Sequence, residues 1–374
     1  MSRPPPDHPP FGRPLRAVFV MEQHVGHRTF YLNLRHGVEA IPGLETAWVE
    51  VTYVQPGGFY ERLAFLPDGA RGVLRGRAQA RRGLRSGYYD VAYFNTQVPA
   101  ALAAPLPRGL PYVVSTDITP LQYDRMAHHY GHRADRFEPA KSLKHALNCR
   151  LLRGAARTLP WSIWARESLV ADYHVDPRRI EVMPPGIDLD LWKPRPDPRR
   201  AGRLRILFIG ADFHRKGGDV LLHALSYLPP DSFELHAVTR SVVPVTQTLT
   251  RHGRMRPNSA ELVGLAQSCD VFVLPSEAEA YGIAAAEACA AGLPVIATRM
   301  GGMVDIVEDG RTGFIIAPGD ARTMADRLQR LSEDEGLRVR MGAAARERAC
   351  DRFDLRRISQ RLVTILTEVV QSHT

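Results

Sequence analysis

Cysteine is scarce in this chain. Cys149, Cys269, Cys289 and Cys350 are the only four in 374 residues, too few and too scattered for a disulfide framework. No two stand as CxxC, and all fall in segments that read as helix or helix edge. Reduced thiols in a cytoplasmic protein are the expectation, and a structural zinc site is not. No apolar run is long enough to cross a bilayer. The first fourteen residues, "MSRPPPDHPPFGRP", lack the apolar centre of a signal peptide, and residues 1–14 read as a disordered tail. Walker loops, G-x-G-x-x-G and G-x-S-x-G are all missing, so the motif-level signals for P-loop, dinucleotide and serine-hydrolase chemistry are missing too.

Lysine is almost missing as well, present only at Lys141, Lys144, Lys193 and Lys216. Arginine therefore carries the net charge of +9 and the pI of about 9.6. The densest cluster, "RGVLRGRAQARRGLR", holds Arg71, Arg75, Arg77, Arg81, Arg82 and Arg85. On a helix this spacing gives one strongly basic side. No aromatics are interleaved to stack on bases, which argues against nucleic acid as a partner. Two readings remain, a solvated face and a peripheral contact with an anionic membrane at its inner face.

What is present is a long alternation of short apolar strands and helical stretches. "RAVFVM", "TAWVEVTY", "DVAYFN" and "PYVVST" read as strands, with helices between them. Residues 193–202, "KPRPDPRRAG", are rich in Pro and Arg and read as a linker. A second alternation follows, from "RILFIG" through "FELHAVT", "DVFVLP", "LPVIAT" and "GFIIAP". Repeated β-then-α units build parallel sheets covered by helices. The expected plan is an N-terminal Rossmann-like domain over 15–192 and a C-terminal one over 203–350. Residues 351–374 form an amphipathic helix, from the 3.6-residue apolar period in "DLRRISQRLVTILTEVV". Two such domains face a central cleft, and ligands bind beyond the carboxyl ends of the strands.

The stretch "EAYGIAAAEACAAGLPV" concentrates the chemistry. The strand "DVFVLP" runs into the loop "SEAEA", and a helix starts near Tyr281 and Gly282. Free N–H groups at a helix N-terminus suit a phosphate, and Gly282 lets backbone approach a ligand. Glu287 lies four residues after Ile283, on the same face and about 6 Å further along. It is placed to accept hydrogen bonds from ribose hydroxyls. Glu279, ahead of the helix, lies on the other side of such a diphosphate, where an attached sugar would be. Ala-rich packing holds the helix close to the sheet, and Gly292 with Pro294 ends it.

These residues resemble the signature of retaining GT-B glycosyltransferases of family 4, the glycosyl transferases group 1 family. Its E-x7-E motif falls on Glu279 and Glu287. Its paired glycines fall on Gly301 and Gly302, and its "dg-x-tG" element on Asp309, Gly310, Thr312 and Gly313. "MPPGIDLDLWKP" is similar to its interdomain segment. The resemblance implies a GT-B fold, a nucleoside-diphosphate-sugar as donor substrate, retention, and a last helix that returns to the N-terminal domain. A donor diphosphate needs cations, and "FIGADFHRKGG" supplies Arg215 and Lys216 in the turn after Gly210. The family's usual Arg in this turn is replaced by Ala211. A subgroup with a similar "DFxRKG" pattern supports Arg215. Gly26, with His27 and Arg28 beside it, stands where members carry a glycine turn near donor or acceptor. Asp117 stands where many members carry a histidine that touches the donor sugar.

Two further patterns are weighed against these. "DLD" (Asp188 to Asp190) matches a metal motif of a different glycosyltransferase fold but sits in the interdomain segment. His128 and His132 have helical i, i+4 spacing but no third ligand. No metal site is expected and no other cofactor. The expected function is transfer of a hexose from the donor to a hydroxyl of a saccharide, glycolipid or small molecule, with Glu279, Lys216, Arg215 and Asp117 as catalytic candidates. Alternatives are a GT-B epimerase or phosphorylase, and a non-enzymatic binder of anionic surfaces.

Overall fold

The structure is a computed structural model. It describes residues 12–23, 26–55, 57–63, 65–131, 138–195, 202–243 and 247–373. Residues 1–11 of the expected tail, 196–201 of the expected linker and His132 lie outside the described residues.

Contacts divide the chain into two units. The first takes residues 1–124, 134–186 and 355–374, and the second takes residues 125–133 and 187–354. Apart from the short excursion of residues 125–133, the crossings fall at Gly186–Ile187 and Asp354–Leu355, outside the Pro- and Arg-rich stretch 193–202. Within the second unit, Ile187 N–H donates to the Phe353 carbonyl (2.7 Å).

In the first unit the strands are β1 (Leu15–Glu22), β2 (Leu44–Val51), β3 (Val91–Phe94), β4 (Tyr112–Thr116) and β5 (Arg157–Pro160). Its helices are α1 (His27–Glu39), α2 (Asp68–Arg85), α3 (Gln97–Ala103), α4 (Pro120–Arg125), α5 (Glu138–Gly154) and α6 (Ile163–Ala171). The sheet is parallel, in the order β2-β1-β3-β4-β5. Val18, Val20, Ala92, Phe94 and Val114 face a core closed by Ala80, Leu84, Leu152 and Leu169 from the helices.

In the second unit the strands are β6 (Leu204–Ile209), β7 (Phe233–Val238), β8 (Leu249–Arg251), β9 (Val271–Leu274), β10 (Val295–Thr298) and β11 (Gly313–Ile316). The helices are α7 (Gly218–Leu225), α8 (Ala260–Gln267), α9 (Ile283–Ala290), α10 (Met303–Ile306), α11 (Ala321–Glu333) and α12 (Glu335–Arg352). The order β11-β10-β9-β6-β7-β8 is again all parallel. Its strands read as unbroken apolar runs because helices cover both faces. The expectation of two parallel-sheet, Rossmann-like domains holds.

The last helix, α13 (Leu355–Gln371), belongs to the first unit and packs on α1. Leu355, Leu362, Ile365, Leu366 and Val369 are buried along its inner face. A Cβ at Gly37 of α1 would lie 2.2 Å from Ser359 Oγ, so glycine sets the close approach. Arg361 adds a two-pronged ion pair to Glu181 (2.7 and 2.6 Å).

The arginines of α2 do not form the basic side that their spacing suggests. Arg75 is buried and paired with Glu61. Arg71, Arg77 and Arg81 donate to the carbonyls of Glu61, Leu102 and Ala104 (3.0, 3.3 and 2.6 Å). Only Arg82 and Arg85 of the six are fully exposed. Among the described residues no helix is long and apolar enough to cross a membrane. All four cysteines are free.

Candidate active site

In the second sheet, β6 lies between β7 and β9. The chain leaves β6 toward one edge through β7 and β8 and reaches the other through β9, β10 and β11. The loops after β6 and β9 diverge at this reversal, where open α/β sheets bind ligands. One loop carries Gly210, Arg215 and Lys216. The other carries Glu279, Tyr281 and Gly282.

The structure brings these loops together. Lys216 Nζ donates to the carboxylate of Glu279 in a nearly buried pair, the side chains being 17% and 8% exposed. Ser276 Oγ also reaches this carboxylate (3.5 Å). Sequence spacing placed both residues at one ligand but did not anticipate that they touch. Gly217 turns at φ +79°, and a Cβ there would lie 2.0 Å from the Pro275 carbonyl oxygen. A glycine thus lets the basic turn rest on the end of β9. Gly210 serves packing too, since its missing side chain makes room for the Lys216 stem (2.9 Å to a Cβ).

Arg215, beside Lys216, makes contacts of its own. Its guanidinium sits 4.9 Å from the ring centre of Tyr130, and its Nε is 3.8 Å from Asp212. Arg215 Nη1 is buried without a hydrogen-bond partner. His129 Nδ1 is 3.4 Å from Glu277. Both His129 and Tyr130 come from residues 125–133, which count with the second unit although they follow β4 and α4 in sequence. No local sequence signal links "HHYGH" to a loop 85 positions later (130 to 215).

Helix α9 starts at Ile283 with Gly282 as its N-cap, at φ +94°. The N–H groups of Ile283 and Ala284 have no acceptor among the described residues, and both residues are only partly buried. Tyr281 differs from the expectation in one respect. Its ring is buried in the core and burial pushes its phenol far up, so only its backbone belongs to the loop surface. Glu287 is 5% exposed, and its Oε1 has no hydrogen-bond partner. Burial alone pushes its carboxyl up to about 8. A Cβ at Gly301 would lie 1.9 Å from the Glu279 carbonyl oxygen, and Gly302 N–H donates to Ala280 O (2.9 Å). The paired glycines therefore brace the acidic loop from behind.

Asp117 and Gly26 lie in the first unit, where they join a second polar cluster. Asp117 follows β4, and His27 opens α1; His27 Nε2 is 3.6 Å from Asp117 Oδ2. Burial raises the Asp117 carboxyl, while His27 pulls it down and Glu22 pushes it up. Glu22, at the end of β1, accepts from Thr96 Oγ1 (2.7 Å). His27 Nδ1 is buried and unpartnered, with the ring 5.5 Å from Trp161. Glu22 was not legible as a site residue, because a single acid after a buried strand carries no pattern. Gly26 has an ordinary φ of −75° and open space where a Cβ would point. Neither conformation nor packing demands glycine there. Asp188 caps a turn by accepting from Asp190 and Leu191 N–H (3.0 and 3.1 Å).

Comparison with known proteins bears on the family and the fold. Residues 252–348 match the family described as glycosyl transferases group 1, and residues 38–191 match glycosyltransferase family 4. A D-inositol 3-phosphate glycosyltransferase of Streptomyces scabiei is 30% identical over 343 residues, covering 82% of this chain and 74% of that protein. Its namesake in Streptomyces avermitilis is 29% identical over 393 residues, covering 96% and 81%. Against the namesake in an Arthrobacter species, identity is 34% over 221 residues, and the match spans about half of each protein, 52% and 52%. Sucrose-phosphate synthase from Thermosynechococcus elongatus shares the fold with a TM-score of 0.74 at 18% identity, covering 96% of this chain and 100% of that one. HepE of Anabaena, solved with UDP and glucose, gives 0.66 at 18% identity, covering 94% and 99%. The parallel sheets, the braced acidic loop and these matches lead to one conclusion: the chain belongs to the group 1, family 4 glycosyltransferases and has their GT-B fold.

Proposed function

We propose that this protein transfers a hexose from a nucleoside-diphosphate-sugar to an acceptor hydroxyl, with retention of configuration. The observation that carries this reading is the Lys216–Glu279 pair beside the open start of α9, with Glu287 unpartnered one turn further on. The pyrophosphate is assigned to the free N–H groups of Ile283 and Ala284. Lys216 and Arg215 add charge that stabilises the leaving diphosphate as the glycosidic bond breaks. Glu287 accepts the ribose hydroxyls, and Glu279 holds sugar hydroxyls and orients the anomeric carbon. No covalent nucleophile is assigned. Attack on the face the diphosphate leaves, assisted by its own phosphate oxygen, accounts for retention. Side-chain cations meet the diphosphate charge, so no bound metal is assigned to the reaction.

The first unit takes the acceptor. Asp117 stands where many family members carry a histidine, and His27 supplies an imidazole to the same cluster from another element. Open space at Gly26 favours close approach of a substrate there. The name shared by the relatives, D-inositol 3-phosphate glycosyltransferase, supports a phosphorylated polyol as acceptor over a lipid-linked sugar.

Calorimetry with nucleoside diphosphates and their sugars, followed by product analysis, tests the reading. One diphosphate and its sugar are expected to bind, and Glu279→Ala is expected to abolish transfer to an added polyol. An isomerised donor or a sugar phosphate as the product would replace this reading with the epimerase or phosphorylase one.

A further inference from the structure

A concavity in the first unit remains unexplained by the donor chemistry. It lies at the carboxyl ends of β1 and β2, against the first turns of α1, and has a volume of about 380 Å³. That is within the roughly 300–1,000 Å³ of small-molecule pockets. Gln23 follows β1, Thr52 follows β2, and Arg28, Tyr31 and Arg35 come from α1.

The hydrogen-bond ledger of this pocket is incomplete on the donor side. Arg28 is exposed and has no hydrogen bond or ion pair among the described residues. Gln23 Nε2 is buried without a hydrogen-bond partner among the described residues. Thr52 Oγ1 accepts from Gln79 Nε2 (3.0 Å), which leaves its own proton to donate. The remaining charges balance each other. Arg35 donates to Glu39 (2.9 Å) and to Tyr31 Oη (3.0 Å), and Tyr31 donates to Glu50 Oε1 (2.9 Å). Glu50 keeps a second oxygen that can accept from hydroxyls.

We infer that this pocket holds a phosphomonoester borne by the acceptor, with Arg28 as its cation, Gln23 and Thr52 as neutral donors, and Glu50 receiving a neighbouring polyol hydroxyl. Three donor groups match the three terminal oxygens of a phosphomonoester, and a guanidinium fork fits two of them at once. This rests on the acceptor reading above and adds the residues that select it. The donor diphosphate is already served in the second unit, so the anion here is a different one.

The test is calorimetry on the full chain with myo-inositol 1-phosphate, glucose 6-phosphate, myo-inositol, inorganic phosphate and UDP as probes. Arg28→Gln is expected to weaken the two phosphate esters at least tenfold and to leave UDP unchanged. Arg28→Lys is expected to recover part of the loss. Arg28 is exposed, so both variants should melt like the parent. An unchanged affinity for the esters would overturn the proposal. So would an equal loss for UDP, which would make the anion the donor's. If the parent binds no phosphate ester but binds UDP and turns over a donor, the proposal fails while the transferase reading stands. If esters bind through Arg28 while no nucleotide binds, the pocket stands and the transferase reading fails.

Discussion

A buried carboxyl group with an oxygen left without a hydrogen-bond partner keeps its proton. Glu287, pushed up to about 8 from 4.5 by burial, holds a proton in the folded protein that the unfolded chain releases near 4.5. Between those two values the native state binds more protons, so on this account stability falls as pH rises from about 4.5 to about 8. Glu287→Gln is expected to flatten the melting temperature between pH 5 and 8 and to raise it at pH 8, which thermal melts across that range would show. Ribose hydroxyls donate to a carboxylate, so nucleotide binding should expel the proton. Titration calorimetry in two buffers of different ionisation heat checks this, and no difference in the apparent enthalpy would count against the assigned contact. Lys216→Met leaves Glu279 unpaired in a nearly closed site. Removing one partner of a buried pair costs roughly 3–5 kcal/mol, discounted here because Lys216 keeps some exposure. Urea melts should show Glu279→Gln recovering much of that loss. On the proposal that Lys216 and Arg215 meet the diphosphate charge, turnover is expected to survive EDTA, as an activity assay with and without chelator would report. Residues 216 and 279 each stood out in the sequence, one as a rare lysine and one as the start of a spaced acidic pair. Their direct contact did not, because it joins loops 63 positions apart.

Elements were legible where apolar period and length were clear, and less so where they were not. Strands β6, β9, β10 and β11 read directly as short apolar runs. The three-residue β8, "LTR", offers no period to read, and "IEVMP" looks like a strand but runs beside β5 without becoming one, through a Thr158–Ile180 bridge and the N–H groups of Glu181 and Met183, which donate to the Thr158 and Pro160 carbonyls (3.1 and 2.8 Å). Helix α12 hides its inner face in small residues, Gly342, Ala345 and Ala349, that blur its apolar stripe. The charge pattern of α2 misled for a different reason. Arg75 turns inward to Glu61, which lies in a three-residue 3-10 turn (Tyr60–Arg62) too short for pattern reading to place. The turn between β6 and α7 makes the sharpest prediction at this scale. Gly217→Ala adds a carbon 2.0 Å from the Pro275 carbonyl oxygen at a φ of +79°. The backbone must shift, carrying Lys216 off Glu279. Nucleotide affinity is expected to fall at least tenfold, and melting should show a loss larger than the roughly 1 kcal/mol of a left-handed alanine alone.

At the scale of the whole molecule, the first unit is not continuous in sequence. Its helix α13 comes after every strand of the second unit. Cutting the chain after Asp354 removes five buried apolar side chains from the first unit and none from the second. At roughly 1.5–3 kcal/mol per fully buried side chain, the first unit should lose most of its stability. Calorimetry is expected to show an early transition that is absent in the full chain, while the nucleoside-diphosphate binding proposed for the second unit persists. A single unshifted transition would show that α13 contributes little. The same arrangement fixes an order of events at the ribosome. The Rossmann-like body whose strands are made first cannot be sealed until the residues of the second unit have been made and α13 has come to lie on α1. Until then the face of α1 that α13 covers stays exposed, and apolar surface exposed during synthesis is prone to aggregate.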